Sequence, residues 1–339
     1  MLKEWIGERN LPPLLSREKM LDILSRHEYG VTPPKPEKAE SAVLSHREET
    51  YGGKGIQEKI EVRFHADFGD FAFPFDLTLP MGVGPYPLMV FLDFSAQEPN
   101  PCYPQEEILD AGVAVARLRY TDIVNDNGHG DFSDGLGLVY YGGRARGPEE
   151  WGKIGMWAYG ASRVVDALWE RKEIDKGRIG VLGLSRLGKT SLWAGAQDER
   201  FSLVAVNDSG CGGASLFRGA VGEDVASMRE SGLWEWFCEN YKTYAHRQEE
   251  MPFDQHYVLA CVAPRKLAVG SADRDQWCDT VSEFLGTVAA SPAWERGLIC
   301  PDRLPQPGED FGEGSVAYHL RRGTHYLCRE DWEKYIRLL

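Results

Sequence analysis

Several features that mark broad classes of protein are missing from this sequence. Its 339 residues include 52 Asp and Glu against 38 Lys and Arg, a formal net charge of −14, and no basic run. Such a chain has little with which to neutralise nucleic-acid phosphates, so we expect no nucleic-acid partner. It also lacks an apolar stretch of the ~20 residues that a membrane span needs, so we expect no membrane insertion.

Cysteine pairs with metal-binding or redox spacing are missing as well. The seven cysteines are odd in number and none forms a C-x-x-C pair, which argues against a disulfide framework and a zinc knuckle. We expect no resident metal and no cofactor. The start, MLKEWIGERNLPPLL, lacks the apolar run and small-residue cleavage site of a signal peptide. The expectation is a cytoplasmic protein, or a secreted one if a leader has been removed.

The sequence does contain an alternation of buried strands and amphipathic helices. The near-continuous apolar runs are typical of strands covered on both faces, and helical spacing occupies residues 149–170 between two of them. This order predicts an α/β fold with a mostly parallel central sheet and helices on both faces. With 42% hydrophobic residues, a single domain over 1–339 can bury a large core. The runs are 86–94, 113–120, 178–184, 201–207, 265–271 and 316–321.

The first 80 residues have a different pattern. Residues 17–27 have amphipathic helical spacing, and the proline-rich TPPKP at 32–36 is a stiff connector. Residues 60–66 and 71–79 alternate as an antiparallel hairpin with a turn at the Gly-Asp between them. We therefore expect residues 1–50 to be a helical and extended segment that packs on the core.

The stretch GLSRLGKTS, Gly183 to Ser191, fits two kinds of site. As G-x-x-x-x-G-K-[ST] it matches a nucleotide phosphate loop. As a strand–Gly-x-Ser–helix turn it matches the nucleophile elbow of a serine hydrolase, although Leu187 stands where the second glycine is usual. The loop follows about four strands rather than the first, and bulky residues separate its glycines, so spacing favours the nucleophile. A helix N-cap is the plainer role for Ser185.

A hydrolase also needs an acid and a histidine after the serine, in that order. Asp208 ends the next apolar run, and Asp273 and Asp275 end the one after it. His325 follows the last run. These residues supply candidates for a Ser-His-Asp triad.

The block GLSRLGKTSLWAGAQDERFSLVAVNDSGCGGASL resembles the core of the glucuronoyl esterases, carbohydrate esterase family 15, and of their bacterial acetylxylan-esterase-like relatives. That family carries G-x-S-R-x-G-K at its nucleophile, so the shifted glycine and the lysine are family features. EEWGKIGMWAYGASRVVDAL, FDQHYVLACVAPRKL, SADRDQW and GTHYLCREDW resemble further family blocks in the same order. The resemblance covers nearly the whole chain and implies an α/β-hydrolase fold, a three-layer sandwich.

The resemblance also implies roles for particular residues. Ser185 is expected to be the nucleophile, His325 the general base, and Arg186 a support of the oxyanion. The acid is Asp208, at a position where the family usually has Glu, or Asp275 on the following loop. Because Asp is one methylene shorter than Glu, we favour Asp275 without excluding Asp208.

Lys189, Glu239 and Trp277 match positions where the family binds the hydroxyls and ring of a uronic acid. Simpler roles are core packing for Trp277 and a solvated face for Glu239. Fungal members also use a glutamine that has no match near Ser231. The expected partner is therefore a small-molecule or oligosaccharide ester, either a uronate ester or an acetylated sugar. The sequence gives no indication of the oligomeric state.

The Gly- and Asp-rich loop at 125–137 contains several oxygen ligands but no regular calcium-loop spacing. We predict that it forms a rim of the active site rather than a metal site.

Overall fold

The computed structural model describes residues 1–95, 97, 100–127 and 131–339. Ten strands in the described chain join into one sheet in the order β1-β2-β3-β5-β4-β6-β7-β8-β10-β9. The strands are β1 (Ala39–Glu49), β2 (Gly55–Ala66), β3 (Gly69–Pro80), β4 (Tyr86–Asp93), β5 (Ala114–Arg119), β6 (Ile174–Leu184), β7 (Leu203–Asn207), β8 (Lys266–Ala272), β9 (Asp310–Phe311) and β10 (Val316–Arg321).

Strand direction divides the sheet into two parts. β1, β2, β3 and β5 pair antiparallel in succession, whereas β5, β4, β6, β7, β8 and β10 form a continuous parallel part. Strand order reverses next to β4, and the parallel strands end along one edge of the sheet. Loops that follow parallel strands meet at that edge, which is where open α/β sheets bind ligands.

Helices cover both faces of the parallel part. Alternate strand residues enter two separate apolar clusters: Val90 packs with residues of α6, α7 and α11, whereas Met89 and Phe91 pack with residues of α4 and α12. The predicted three-layer α/β-hydrolase fold is confirmed. The helices in the described chain are α1 (Leu2–Glu8), α2 (Arg17–His27), α3 (Thr50–Gly53), α4 (Gln105–Asp110), α5 (Gly135–Tyr141), α6 (Lys153–Leu168), α7 (Arg186–Gln197), α8 (Val225–Glu230), α9 (Glu239–Lys242), α10 (His256–Ala260), α11 (Thr280–Ala290) and α12 (Arg329–Leu338).

The N-terminal segment lies on this core, as its contacts show. Arg17 donates to the carbonyls of Ala196 and Cys261, and Tyr159 donates to the carbonyl of Pro34. The segment also contains β1, an edge strand that the sequence did not indicate. All eleven side chains of β1 are exposed, so no face of it carries the apolar alternation by which strands are recognised.

The predicted hairpin is present, but its turn is placed differently. β2 and β3 pair from Gly55↔Pro80 to Ala66↔Gly69, so Gly69 and Asp70 belong to β3 and the turn is at 67–68. No helix in the described residues is long and apolar enough to cross a membrane.

Candidate active site

Ser185 lies on a tight turn between β6 and α7. Its backbone has φ 61° and ψ −129°, a conformation that non-glycine residues rarely adopt and that is associated with functional sites. A Cβ on Gly183 would lie 2.0 Å from the Leu187 carbonyl oxygen, so only glycine allows the turn. A Cβ on Gly188 would lie 3.1 Å from the Asn207 carbonyl oxygen, which accounts for a glycine here rather than at 187.

Asn207, at the end of β7, connects the serine turn to the histidine loop. Its carbonyl accepts the Ser185 N–H at 2.9 Å, and its side-chain amide donates to the Tyr326 carbonyl at 3.3 Å. Tyr335 donates to the Asn207 side-chain oxygen at 2.8 Å and fixes the orientation of this buried amide. One residue therefore holds the backbones of Ser185 and of the residue after His325.

The imidazole of His325 pairs with Asp275. His325 Nδ1 lies 2.6 Å from Asp275 Oδ2, and the side chain of His325 is 41% exposed whereas that of Asp275 is buried. Burial alone would raise the pKa of Asp275, but hydrogen bonds from His325 and Cys278 outweigh it and hold that pKa below its ordinary value. The contact occupies Nδ1, so Nε2 is the ring nitrogen available to exchange a proton.

Asp208, the other candidate acid, has different partners. Its carboxylate accepts the Ala272 N–H at 2.7 Å and a guanidinium N–H of Arg321 at 3.2 Å. It is fully buried, and no hydrogen bond joins it to the imidazole within the described chain. The short aspartate thus pairs with an arginine beneath the histidine loop, and the structure brings Asp275, not Asp208, to His325.

Arg321, which sequence analysis did not single out, binds the backbone of the loop that carries His325. Arg321 Nη2, the nitrogen that donates to Asp208, also donates to the carbonyls of Thr324, at 2.9 Å, and of Tyr326. These are the residues on either side of His325. Asp331 accepts from Arg321 Nε at 2.9 Å and from the Cys328 N–H at 2.9 Å, and the second bond caps the start of α12. An arginine within a strand-like run carries no sequence signal of such a role.

Arg186 follows the serine at the start of α7, where helix geometry leaves the first backbone N–H groups without intrahelical partners. Its guanidinium pairs with Asp126 and lies 4.6 Å from the ring centroid of Trp236. Trp236 donates to the second oxygen of Asp126 at 2.7 Å. A carboxylate and an aromatic ring thereby fix this positive charge beside the serine turn.

The contact between Asp126 and Arg186 also places one end of the 125–137 loop beside Ser185. The described carboxylates of this loop accept hydrogen bonds from neighbouring protein groups: Asp131 from Asn127 and Ser133, and Asp134 from Asn125. Residues 128–130, in the middle of the loop, lie outside the described residues. The prediction of an active-site rim remains a prediction.

Lys189 lies one helical turn after Ser185 and points into the protein. Its Nζ donates to Glu223 at 2.7 Å and to the Ser209 carbonyl at 2.8 Å, and the residue is 2% exposed. Burial would lower the pKa of Lys189, but the Glu223 carboxylate outweighs it and raises that pKa. A phosphate-loop lysine would instead lie free to meet a phosphate, so this geometry does not support the nucleotide-binding alternative.

Glu223 connects Lys189 to Trp277. Trp277 Nε1 lies 3.3 Å from the second carboxylate oxygen of Glu223, and Trp277 is 55% exposed. The indole is therefore the solvent-accessible end of a cluster whose charged pair is buried. The three side chains form a polar and aromatic cluster next to the serine turn.

Glu239 does not join this cluster. It pairs with Arg146 at 2.8 Å and with Lys242, in a separate depression of about 590 Å³ that Trp234 also lines. The carboxylate that pairs with Lys189 is that of Glu223, and a substrate-binding role for Glu239 stays a prediction. Sequence analysis missed Glu223 because the acidic pair Glu223-Asp224 precedes a helix, and Asp224 is indeed the N-cap of α8.

One group of described side chains has the composition of a metal site. Ligand atoms of Asp275, Cys278 and His325 all lie within 4.8 Å of one another. All seven cysteines are free thiols.

Comparison with known proteins agrees with this architecture. A family model described as glucuronyl esterase of fungi matches residues 62–296. Carbohydrate esterase MZ0003, from an unknown prokaryotic organism, is 38% identical over 68% of this chain. A 4-O-methyl-glucuronoyl methylesterase from Podospora anserina is 28% identical over 82% of it.

Solved structures give the same result. A glucuronoyl esterase from Solibacter usitatus superposes with a TM-score of 0.86 at 34% identity, covering 95% of this chain and 90% of that one. Another, from Teredinibacter turnerae, gives a TM-score of 0.90 at 25% identity over 98% of this chain and 89% of that one. The chain spans only 54% and 55% of the lengths of the MZ0003 and Podospora proteins.

Proposed function

The chain belongs to the glucuronoyl esterase family, carbohydrate esterase family 15, and on that premise we propose that it is a serine carboxylic-ester hydrolase that cleaves a uronic acid ester. The observation that carries the proposal is the arrangement around Ser185. Asp275 pairs with His325 on the loops that follow β8 and β10, at the sheet edge where the Ser185 turn lies. Lys189, one helical turn after Ser185, pairs with Glu223, which also contacts Trp277.

Acylation would begin with proton transfer from Ser185. His325 accepts the proton at Nε2 while Asp275 holds Nδ1–H and stabilises the imidazolium that forms. Ser185 Oγ then attacks the ester carbonyl. The lowered pKa of Asp275 keeps it ionised during this step, as the role requires.

The oxyanion would be stabilised by the start of α7 and by Arg186. A backbone N–H at a helix N-terminus and a fixed guanidinium both present positive charge where negative charge develops, usually the largest single contribution in acyl transfer. Asp126 and Trp236 fix the guanidinium before the substrate arrives, so little reorganisation is needed during the reaction.

His325 then donates its proton to the departing alcohol, and water activated by the same imidazole hydrolyses the acyl-enzyme. The sugar would occupy the acyl side of the ester, because Lys189 lies one helical turn after the nucleophile and is joined through Glu223 to Trp277. Trp277 offers a face for the sugar ring, and the Lys189–Glu223 pair offers hydrogen-bonding groups for its hydroxyls. The related chains whose names include glucuronoyl methylesterase agree with this orientation.

A comparison of two esters tests the proposal. Methyl or benzyl glucuronate places the sugar on the acyl side, and an aryl acetate does not. We expect the uronate ester to be hydrolysed with the higher kcat/KM, and Ser185→Ala to abolish turnover. Ser231→Ala, at an exposed serine away from the turn, is the control.

A preference for the acetate would favour the alternative, a deacetylase acting on acetylated oligosaccharides. Failure to hydrolyse either ester, with Ser185→Ala indistinguishable from wild type, would rule out esterase function.

A further inference from the structure

The thiol of Cys278 lies against the proposed acid–histidine pair and takes no part in the proton transfers of the ester mechanism. Cys278 Sγ is 3.6 Å from His325 Nδ1 and 3.1 Å from the Asp208 carbonyl oxygen. The Cys278 N–H also donates to Asp275 at 3.3 Å, so thiol, carboxylate and imidazole come together at the same loop. Thiolate, carboxylate and imidazole are the three ligand types that zinc takes in proteins.

The spacing of two of these ligands already suits a tetrahedral ion. With Zn–N near 2.0 Å and Zn–S near 2.3 Å, a tetrahedral angle separates the two ligand atoms by about 3.5 Å. The structure has Nδ1 and Sγ 3.6 Å apart. Nδ1 and the Asp275 oxygen, at 2.6 Å, are closer than the roughly 3.3 Å a shared metal needs, so the carboxylate must withdraw by about 0.7 Å.

The surrounding charge also favours a cation. Asp275 and Asp208 both contact Cys278, and the buried Glu283 accepts two hydrogen bonds from Ser209. Lys189 and Arg321 are the positive groups near this cluster, and each is already paired with a carboxylate. A divalent ion would replace the proton between Asp275 and His325 and ionise the thiol.

We propose that Asp275, Cys278 and His325 form an inhibitory site for a thiophilic divalent cation such as Zn²⁺. Binding releases the Cys278 proton to solvent, and the imidazole keeps a single proton, which moves from Nδ1 to Nε2. An imidazole with the metal on Nδ1 and a proton on Nε2 has no lone pair for the Ser185 proton, so ester attack stops. The inhibitory consequence rests on the proposed esterase function, whereas the metal site itself does not.

Cobalt binding tests the site without any substrate. Co²⁺ replaces Zn²⁺ in such ligand sets and gives a thiolate-to-cobalt absorption band in the near ultraviolet. We expect the band in wild type and in Cys300→Ala, which removes a cysteine of similar chemistry at another site. It should be lost in Cys278→Ala, with cobalt affinity at least about tenfold weaker. No band in wild type, or an undiminished band in Cys278→Ala, would overturn the proposal.

Activity then tests the consequence. Each variant is preincubated with buffered Zn²⁺, because Cys278 is only 3% exposed and binding should be slow, and its residual activity is expressed relative to the same variant with chelator. Wild type and Cys300→Ala should lose activity, and excess chelator should restore it. Cys278→Ala should keep its activity in Zn²⁺. Cys278→Ser should do the same, and it replaces the alanine variant in this test if that variant folds poorly. Equal inhibition of wild type, Cys300→Ala and both Cys278 variants by Zn²⁺ would refute the inhibitory role. A wild type that has no esterase activity but still shows the cobalt band would refute the esterase proposal and leave the metal site standing.

Discussion

His325 Nδ1 lies 2.6 Å from Asp275 Oδ2, and the carboxylate of Asp208 is bonded to Arg321 rather than to the imidazole. Two acids that the sequence left as alternatives therefore have separate tasks. Asp275 contacts the imidazole that we propose moves protons, and Asp208 pairs with Arg321, which holds the loop that carries this imidazole.

Replacing each acid by its amide separates these tasks. Asp275→Asn should lower kcat by about 10³- to 10⁴-fold with KM nearly unchanged, because the amide no longer stabilises the imidazolium. Asp208→Asn should cost far less in kcat and more in thermal stability. Steady-state kinetics on an aryl acetate and melting curves check both variants, and a larger kcat loss in Asp208→Asn would reverse the assignment.

Arg321→Lys tests whether the hydrogen bonds from Arg321 to the backbone around His325 position the imidazole. Lysine keeps the positive charge between Asp208 and Asp331 but cannot reach the Thr324 and Tyr326 carbonyls together with both carboxylates. A displaced His325 should lower kcat by about 10- to 100-fold, since small misplacements of a catalytic group are costly.

The measurements for Arg321→Lys are kcat, KM and the low-field proton resonance of His325 Nδ1–H, which should broaden or vanish. A variant with lower melting temperature but wild-type kcat and an intact resonance would show that Arg321 stabilises the fold without positioning the histidine.

Glu223→Gln tests the cluster beside the serine turn. The substitution removes the charge partner of Lys189 and alters the contact with Trp277, so KM for a glucuronate ester should rise by about 10- to 100-fold. Turnover of an aryl acetate, which has no sugar, should change little. Glu239→Gln is the matched control and should leave both KM values near wild type, because Glu239 pairs with Arg146 and Lys242.

Glu283 gives the fold an unusual pH dependence. Burial raises the pKa of this carboxyl to about 7, above its unfolded value of 4.5. The folded protein therefore binds more protons than the unfolded chain between these values, and the stability that Glu283 contributes falls as pH rises from about 4.5 to 7. The loss reaches about 3 kcal/mol at most.

Glu283→Gln removes this titration: the amide oxygen can still accept from the backbone N–H groups of Ser209 and Gly210, and the amide NH2 can donate to the Ser271 hydroxyl oxygen. Denaturant unfolding at pH 5 and pH 8 should show wild type losing stability relative to Glu283→Gln. A difference between the two proteins that does not change with pH would contradict the raised pKa.

Local patterns in the sequence were sufficient to predict the fold, which is confirmed, and to single out Ser185 as the candidate nucleophile. Continuous apolar runs identify strands buried on both faces, and Gly183 with Ser185 identifies a tight strand-to-helix turn. The sequence did not predict β1 because every side chain of this strand is exposed, so it has no apolar alternation. Its strand conformation comes from its antiparallel pairing with β2.

The sequence could not predict which side chains contact one another. Asp208 and Asp275 follow neighbouring parallel strands, so both are near the histidine loop, and only side-chain direction decides which of them reaches the ring. Glu223, Arg321 and Cys278 come from three different loops and strands, and nothing in the local sequence around them signals a shared site.

Fluorophosphonate labelling of Ser185 tests the central claim most directly. The reagent reacts covalently with a serine that a neighbouring histidine activates, and peptide mass spectrometry locates the adduct. We expect one adduct, on Ser185, formed more slowly when methyl glucuronoside is present and at an unchanged rate with methyl glucoside. An unlabelled Ser185, or labelling that neither sugar slows, would contradict a serine esterase with a uronate site beside its nucleophile.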